Sequence, residues 1–454
     1  MNAVPAVPAV AVVGAGPGGL LCARVLQQHG VPVTVYEADA SVDARDLGGT
    51  LDLHADSGQI ALEDAGLADA FRALARPEGQ AKTRMDHHGT VLDRFVPDTD
   101  DEAAPEIDRG QLRRMIAAHV DPASIRWGHR LTAVEPLADG THRLHFAGGG
   151  TAEAGLVIGA DGTWSRVRPL VSTATPDYSG VSFLDVVYAD ADTRHPGIAR
   201  LVGDGHLFVR DGEGRAVIAQ RNSGGHIRAY LAMRTPADWY TAAGIADPSD
   251  PAEADAVRRH LLAEFADWDA QLRPFLTDAD GGYRHRPIHV LPAPHTWEHR
   301  SGVTLLGDAA HVMAPFGGYG VNLALLEGAE LARAIAGEPT LDAAVRRYET
   351  AMKDRAAPLA ADANDALARF FGATPPAAHT APDPAEEHRR YRQGAAEYRA
   401  RQAAAPAGRG PGRPRPVPVP PVRCPAGGGP PAAWLDGCAG EGVTAGARVG
   451  ALPG

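Results

Sequence analysis

Two glycine-rich turns carry the residue types that could do chemistry in this chain. The first, Gly14-Ala-Gly16-Pro-Gly-Gly19, follows the apolar run Val10–Val13, and Glu37 closes the next apolar run. That acid stands about 20 residues on, the spacing of a dinucleotide-binding turn. Gly14 permits the tight turn, Gly16 lets backbone approach a pyrophosphate, and Gly19 lets helix and strand pack closely. The helix start then faces the phosphates, and Glu37 accepts from ribose hydroxyls. The second turn follows the apolar run Val303–Leu306 and runs through Asp308, Pro315, Phe316, Gly317, Gly318 and Gly320. Asp308 is placed to bind a polyol hydroxyl. The glycines let backbone approach a flat ligand at little steric cost. A helix opening near Gly320, Val321 and Asn322 aims unpaired N–H groups and partial positive charge at that ligand. A flavin wants both things, an acid for its ribityl chain and a helix start for its reduced, anionic ring.

The elements around the turns predict an α/β protein. Val10–Val13, a helix over Gly18–His29 and Val31–Glu37 make a βαβ unit. Asp108 is predicted to cap a helix over Asp108–Val120, with Gln111 completing a capping box. From Val181 to Met233 the pattern changes to short strands: Val181–Ala189, His206–Arg210, Ala216–Gln220 and Ile227–Met233. They predict a mostly antiparallel sheet. His226, Arg228 and Tyr230 alternate with Ile227, Ala229 and Leu231, which gives that sheet one polar face. Apolar residues at helical spacing predict one helix over Ala252–Phe275.

The expected domains are 8–180 with 276–340, which bind the cofactor, and 181–275, which bind substrate. A C-terminal helix fills 341–374. Residues 375–454 hold ten arginines, six acids and much Pro, Gly and Ala, a composition that predicts a disordered tail.

Basic residues number 44 against 56 acidic, a net charge of −12, which argues against nucleic acid or an anionic membrane as partner. Three dispersed cysteines offer neither a disulfide framework nor a metal site. No apolar run approaches the roughly 20 residues of a membrane span. No secretory leader is visible, so a cytoplasmic monomer is expected.

In three signatures the chain resembles the class A, aromatic-hydroxylase-type flavoprotein monooxygenases. They are the N-terminal glycine turn, the stretch from Gly159 through Asp161 and Gly162 to Arg168, and Gly307–His311 with its glycine turn. The nearest likeness is to the TetX-type tetracycline-inactivating monooxygenases. It rests on Leu47–His54, Pro105–Leu112, Thr235–Trp239, Phe265–Asp269 and Asp308–Asn322. The resemblance implies a Rossmann-type, para-hydroxybenzoate-hydroxylase-like FAD domain with an inserted β-sheet substrate domain and a C-terminal helix. It assigns Asp52, Arg109, Asp161 and Asp308 to FAD and Arg45 to NADPH. It turns Asp185, His206, Phe208, Arg228 and Asn364 toward the substrate, with Pro315, Phe316 and Gly317 as the wall at the reacting face. Ala38 stands where relatives often have arginine. Asp185, His206 and Arg228 differ in type from the residues expected at those places.

The implied chemistry is hydroxylation of an electron-rich phenol or enol carbon of a polycyclic substrate through a flavin C4a-hydroperoxide. NADPH and O₂ are consumed, and neither a protein nucleophile, a general base nor a metal is needed. The likeness points to inactivation of a tetracycline-type antibiotic. The alternatives are a tailoring hydroxylase of aromatic polyketide biosynthesis and a non-catalytic flavin-binding redox module.

Overall fold

The computed structural model describes residues 10–44, 48–98, 101–373 and 383–404. Arg45 and the chain beyond Ala404 lie outside the described residues. All four residues of Val10–Val13 are buried, as a strand covered on both faces requires. It pairs in parallel with Leu156–Gly159 on one side and Val33–Tyr36 on the other. Val303–Leu305 and Ile125–Arg126 complete a five-stranded parallel sheet. Both glycine turns leave the carboxyl ends of its strands, where open α/β sheets bind ligands.

Helices Pro17–Gln28 and Tyr319–Gly337 meet backbone to backbone over this sheet. A Cβ on Gly18 would stand 2.6 Å from the Ala324 carbonyl oxygen, and one on Gly328 would stand 2.5 Å from that of Gly18. The long helix Leu341–Phe370 follows, capped by Thr340, whose side chain accepts from Ala343 N. Among the described residues no helix is long and apolar enough to cross a membrane.

A seven-stranded sheet forms the second layer. Its order is Arg284–Val290, Asp177–Tyr188, Ile227–Arg234, Arg215–Arg221, His206–Arg210, Lys82–Asp86 and Val91–Phe95. One face carries Leu184, Val186, Leu207, Val217, Ala229 and Leu231, packed with Val257, Leu261, Phe265 and Trp268 into a core of its own. The sheet draws strands from both flanks of the expected 181–275 insert. Lys82–Asp86 buries only Thr83 and Met85, so its sequence lacks the apolar run that marks a central strand.

The helix expected over Ala252–Phe275 is three pieces. Ala254–Glu264 ends, Asp269 accepts from Gln271 N to start the turn Ala270–Leu272, and Pro274 opens Pro274–Thr277. An aspartate cap and a proline restart the chain there, while the apolar residues keep their buried positions. Asp108 sits at the cap position of Arg109–Ala117 without capping it. Its carboxylate accepts instead from Arg76, Asn222 and Ser223.

The expected disordered tail contains a helix, Pro384–Ala404. Few apolar residues suffice because each lands on the body of the protein. Ala395 is buried, and the Tyr391 ring stacks on His54 with centroids 4.0 Å apart. Arg392 and His388 pair with Asp101 at 2.6 and 2.9 Å, and Arg399 pairs with Glu63 at 2.6 Å.

Candidate functional site

At the first turn, Gly14 has a φ of +105°, and a Cβ there would lie 2.3 Å from the Ala160 carbonyl oxygen. A Cβ on Gly19 would lie 2.2 Å from the Gly14 carbonyl oxygen, so both glycines are dictated by packing. Gly16 is different: nothing lies within 4 Å of its Cβ position. It is the N-cap of Pro17–Gln28, with no side-chain cap and no acid in the first turn. That helix start keeps open N–H groups for an anion.

Glu37 is buried, with Oε2 accepting from Ala15 N at 2.6 Å and Oε1 from Asp39 N at 2.8 Å. It therefore fixes the glycine loop and keeps lone pairs for a ribose. Arg113, which sequence reasoning did not single out, backs the loop. Its guanidinium donates to Ala15 O and Asp39 at 2.9 Å each and lies 3.4 Å from Glu37. Asp161 stands beside Gly14 with Oδ2 accepting from Arg166 N at 2.7 Å. Its Oδ1 is buried without a partner, and burial raises the carboxyl above its ordinary range.

At the second turn Asp308 is exposed at the head of Asp308–His311. Buried Glu327 holds this turn, accepting from Gly307 N at 2.8 Å and pairing with His311 Nε2 at 2.7 Å. The following helix opens at Tyr319, before Val321 and Asn322, with left-handed Gly318 as N-cap and no acid in its first turn. A Cβ on Gly318 would lie 2.5 Å from Asp52 Oδ1, so Asp52 closes on this turn. Gly320 and Val321 lie in the first helical turn, whereas the Asn322 side chain is committed to backbone. Arg109 is exposed at its helix start, and its N–H donates to Gly49 O at 3.1 Å. Pro315 and Gly317 are exposed and Phe316 is half-buried. Asn364 Oδ1 accepts from Ala314 N at 3.0 Å and so anchors this wall.

The second face of the seven-stranded sheet carries the substrate candidates, and it is buried rather than solvated. Asp185 and Arg228 pair with each other at 2.7 Å, and Arg286 joins Asp185 at 2.7 Å. Phe208, Tyr230 and Phe316 pack with Phe183 and Phe371 in one aromatic cluster. His206 lies beside Phe208, with Nε2 3.6 Å from Glu106 Oε1.

Glu106 was not singled out by sequence reasoning, nor were His54, Gln220, Tyr230 and Arg286. For Glu106 the available signal was period-2 alternation, which puts Thr50, Asp52, Glu106 and Asp108 on one face of the ribbon. Burial and the negative charge of Asp52 push the Glu106 carboxyl up to about 8. Burial pulls Asp52 upward too, but His54, with Lys82 and His206, more than offsets this and holds it at about 2. Burial, aided by Lys82, lowers His206 to about 4.

Two uncapped helix starts, the orphaned Asp161 oxygen and the exposed Asp308 fit the pyrophosphate, ribityl chain and ring of one FAD. A family model described as "FAD binding domain" matches residues 8–365. "Monooxygenase penA" of Penicillium thymicola is 30% identical over 371 residues, covering 71% of this chain and 83% of that protein. "3-amino-4-hydroxybenzoate 2-monooxygenase PtmB3" of Streptomyces platensis is 32% identical over 359 residues, covering 75% and 83%. The crystal structure of "tetracycline destructase Tet(55)" superposes with a TM-score of 0.64 at 20% identity, covering 86% of this chain and 96% of its own length. That last likeness is one of fold. The chain belongs to the FAD-binding monooxygenase family, and it is an enzyme whose cofactor is FAD.

Proposed function

We propose that this enzyme hydroxylates an electron-rich phenol or enol carbon of a polycyclic substrate, with NADPH and O₂ as co-substrates. FAD, when bound, would supply the redox and oxygen chemistry. The chain's residues bind, orient and exclude water. Gly14, Gly16, Gly19, Glu37 and Asp161 take the nucleotide end. Asp52, Arg109, Asp308 and the Gly320–Val321 helix start take the ring end. The observation that carries the reading is the buried face of Phe208, Tyr230, Phe183 and Phe371 set against Phe316 of the ring-side turn. Such an apolar wall suits a flat polycycle, with a few polar groups to orient it.

A tetracycline-type antibiotic is the first candidate, supported by the shared fold of Tet(55). A tailoring hydroxylase of aromatic polyketides is the second. It is favoured by the mutual saturation of Asp185, Arg228 and Arg286, which leaves fewer free charges for a highly oxygenated ligand. The test is FAD-loaded protein incubated with NADPH and a panel of tetracyclines and aromatic polyketides, with mass detection. A product heavier by one oxygen, formed only with NADPH and O₂, is expected. Unchanged tetracycline beside a hydroxylated polyketide selects the second candidate. No NADPH oxidation with any compound overturns both.

A further inference from the structure

The Pro384–Ala404 helix lies beyond residues 8–365, which the family model matches, yet it docks beside the ring-side half of the flavin site. Its Ala395 packs with Ala55, Ile60 and Leu326, and Tyr398 accepts from Arg333 at 2.6 Å. Gly394 lets the helix close on Asp56, since a Cβ there would stand 2.9 Å from that of the aspartate. Tyr391, one turn earlier, reaches the segment that carries Asp52. Its ring lies face to face with His54, with 4.0 Å between centroids and 16° between planes. Tyr319, the first residue of the ring-side helix, meets the same imidazole at right angles, with centroids 6.5 Å apart. The His54 ring is thus covered on one face by the C-terminal helix and flanked by the ring-side helix start.

What that ring holds is Asp52. His54 Nε2 stands 3.2 Å from Asp52 Oδ2. A Cβ on Gly318 would lie 2.5 Å from Asp52 Oδ1 and 2.8 Å from His54 Nε2, so both side chains abut the backbone of the ring-side turn. The His54 backbone is already fixed, because its N–H donates to Asn322 Oδ1 at 2.9 Å. Its side-chain torsions are not, and an aromatic face stacked on the imidazole removes that freedom. Burial pulls the Asp52 carboxyl up, and His54, the foremost opposing group, helps to hold it at about 2. The Tyr391 hydroxyl feels the same carboxylate: burial, then Glu387 and Asp52, push it above its ordinary range, so the phenol stays neutral.

We propose that Tyr391 is a positioning residue of the flavin site, acting through His54 to fix the Asp52 carboxylate at the ring-side turn. This rests on the assignment of Asp52 to the flavin. The C-terminal helix then belongs to the working enzyme, because it completes the wall behind a cofactor contact. The stack also creates a thermodynamic link. A docked helix that favours the flavin-competent Asp52 is favoured in turn by bound flavin, and by the same factor.

The test is FAD titration of flavin-free, full-length protein, followed by flavin fluorescence, beside thermal unfolding of the same flavin-free variants. Tyr391→Ala should weaken FAD binding by about tenfold, the scale of one aromatic stack, with melting nearly unchanged. Tyr391→Phe keeps the stacked ring and should bind within about twofold of wild type. Asp52→Ala should weaken binding as well. Adding Tyr391→Ala to it should cost nothing more, because the group on which Tyr391 acts is gone. One measurement needs no variant: saturating FAD should slow amide hydrogen exchange along Pro384–Ala404 in wild type by the same factor of about ten. Four results overturn the positioning role and leave the Asp52 assignment standing. They are wild-type affinity in Tyr391→Ala while Asp52→Ala binds weakly, failure of Tyr391→Phe to restore binding, losses that add in the double variant, and exchange that FAD leaves unchanged. Wild-type affinity in Asp52→Ala overturns that assignment itself, and the role of Tyr391 with it.

Discussion

Asn322 Oδ1 accepts the backbone N–H of His54 at 2.9 Å, across 268 residues of chain. The same oxygen accepts from Gly58 N at 3.2 Å, and the amide nitrogen donates to the carbonyls of Asp52 and Gly318, both at 2.8 Å. One buried side chain therefore ties the ring-side helix start to the strand that carries Asp52.

Asn322→Ala strips four backbone groups of their partner at once. A loss of about 2–4 kcal/mol is expected, since buried unsatisfied groups each cost on the order of 1–3 kcal/mol and some will find water. Urea denaturation of the flavin-free protein measures it. A loss below about 0.5 kcal/mol, the usual range of a surface substitution, would contradict the bridging role.

Gly14 and Gly16 should fail in different ways. Alanine at 14 meets the Ala160 carbonyl and a positive φ, so the flavin-free protein loses stability, by about 1–3 kcal/mol as for an overpacked site. Alanine at 16 meets nothing in the protein, so thermal unfolding of the flavin-free form should not change. Its flavin affinity should drop about tenfold or more, because a methyl group stands where a pyrophosphate would approach. Equal behaviour of the two variants in paired melting and flavin titrations would contradict the assignment.

Stability should also report Glu106. The folded chain holds a proton up to about 8 that the unfolded chain releases near 4.5. Between those values the unfolded state binds fewer protons, so stability falls as pH rises. Glu106→Gln removes this slope, and its advantage over wild type should grow across that window. Denaturation curves at several pH values decide it; a constant difference would place the ionised carboxyl in the folded state throughout.

Arg228→Ala should cost about 3–5 kcal/mol, the range for breaking a buried ion pair, because Asp185 would keep only Arg286. Arg228→Ala with Asp185→Ala should recover part of it in a double-mutant cycle. If Arg228 serves substrate alone, the single variant will melt like wild type and differ only in KM.

The Tyr391→Ala variant removes the ring stacked on His54. The Pro384–Ala404 helix should then become the first site of limited proteolysis, with little change in global unfolding. Unaltered cleavage would mean that Arg392, His388 and Arg399 hold the helix alone.

Much of the fold was legible because its constraints are local. Gly19 is read from a turn whose closest clash, with the Gly14 carbonyl oxygen, lies within one βαβ unit, and Val10–Val13 from an unbroken apolar run. Lys82–Asp86 was not, because a strand that buries only Thr83 and Met85 shows no such run. The Pro384–Ala404 helix was hidden by its composition, since its partners Asp101, Glu63 and His54 lie far away in sequence. Asp185 and Arg228 were read as separate substrate contacts. Their pairing depends on cross-strand register, with Asp185 opposite Tyr230 and Val187 opposite Arg228, which one sequence does not display. Asn322 was legible as part of a helix start but not as a bridge, for the same reason.

The two apolar cores, one under the parallel sheet and one behind the seven-stranded sheet, leave the face between them outside both. Phe208 and Tyr230 belong to neither core. Exchange at those positions alters the shape offered to a ligand while the flavin cradle keeps its own foundations. Substrate range can therefore diverge along a lineage that inherits its redox chemistry unchanged, and a mutagenesis library confined to Phe208 and Tyr230, with the Asp185–Arg228 pair left intact, should yield folded, flavin-loaded variants at high frequency.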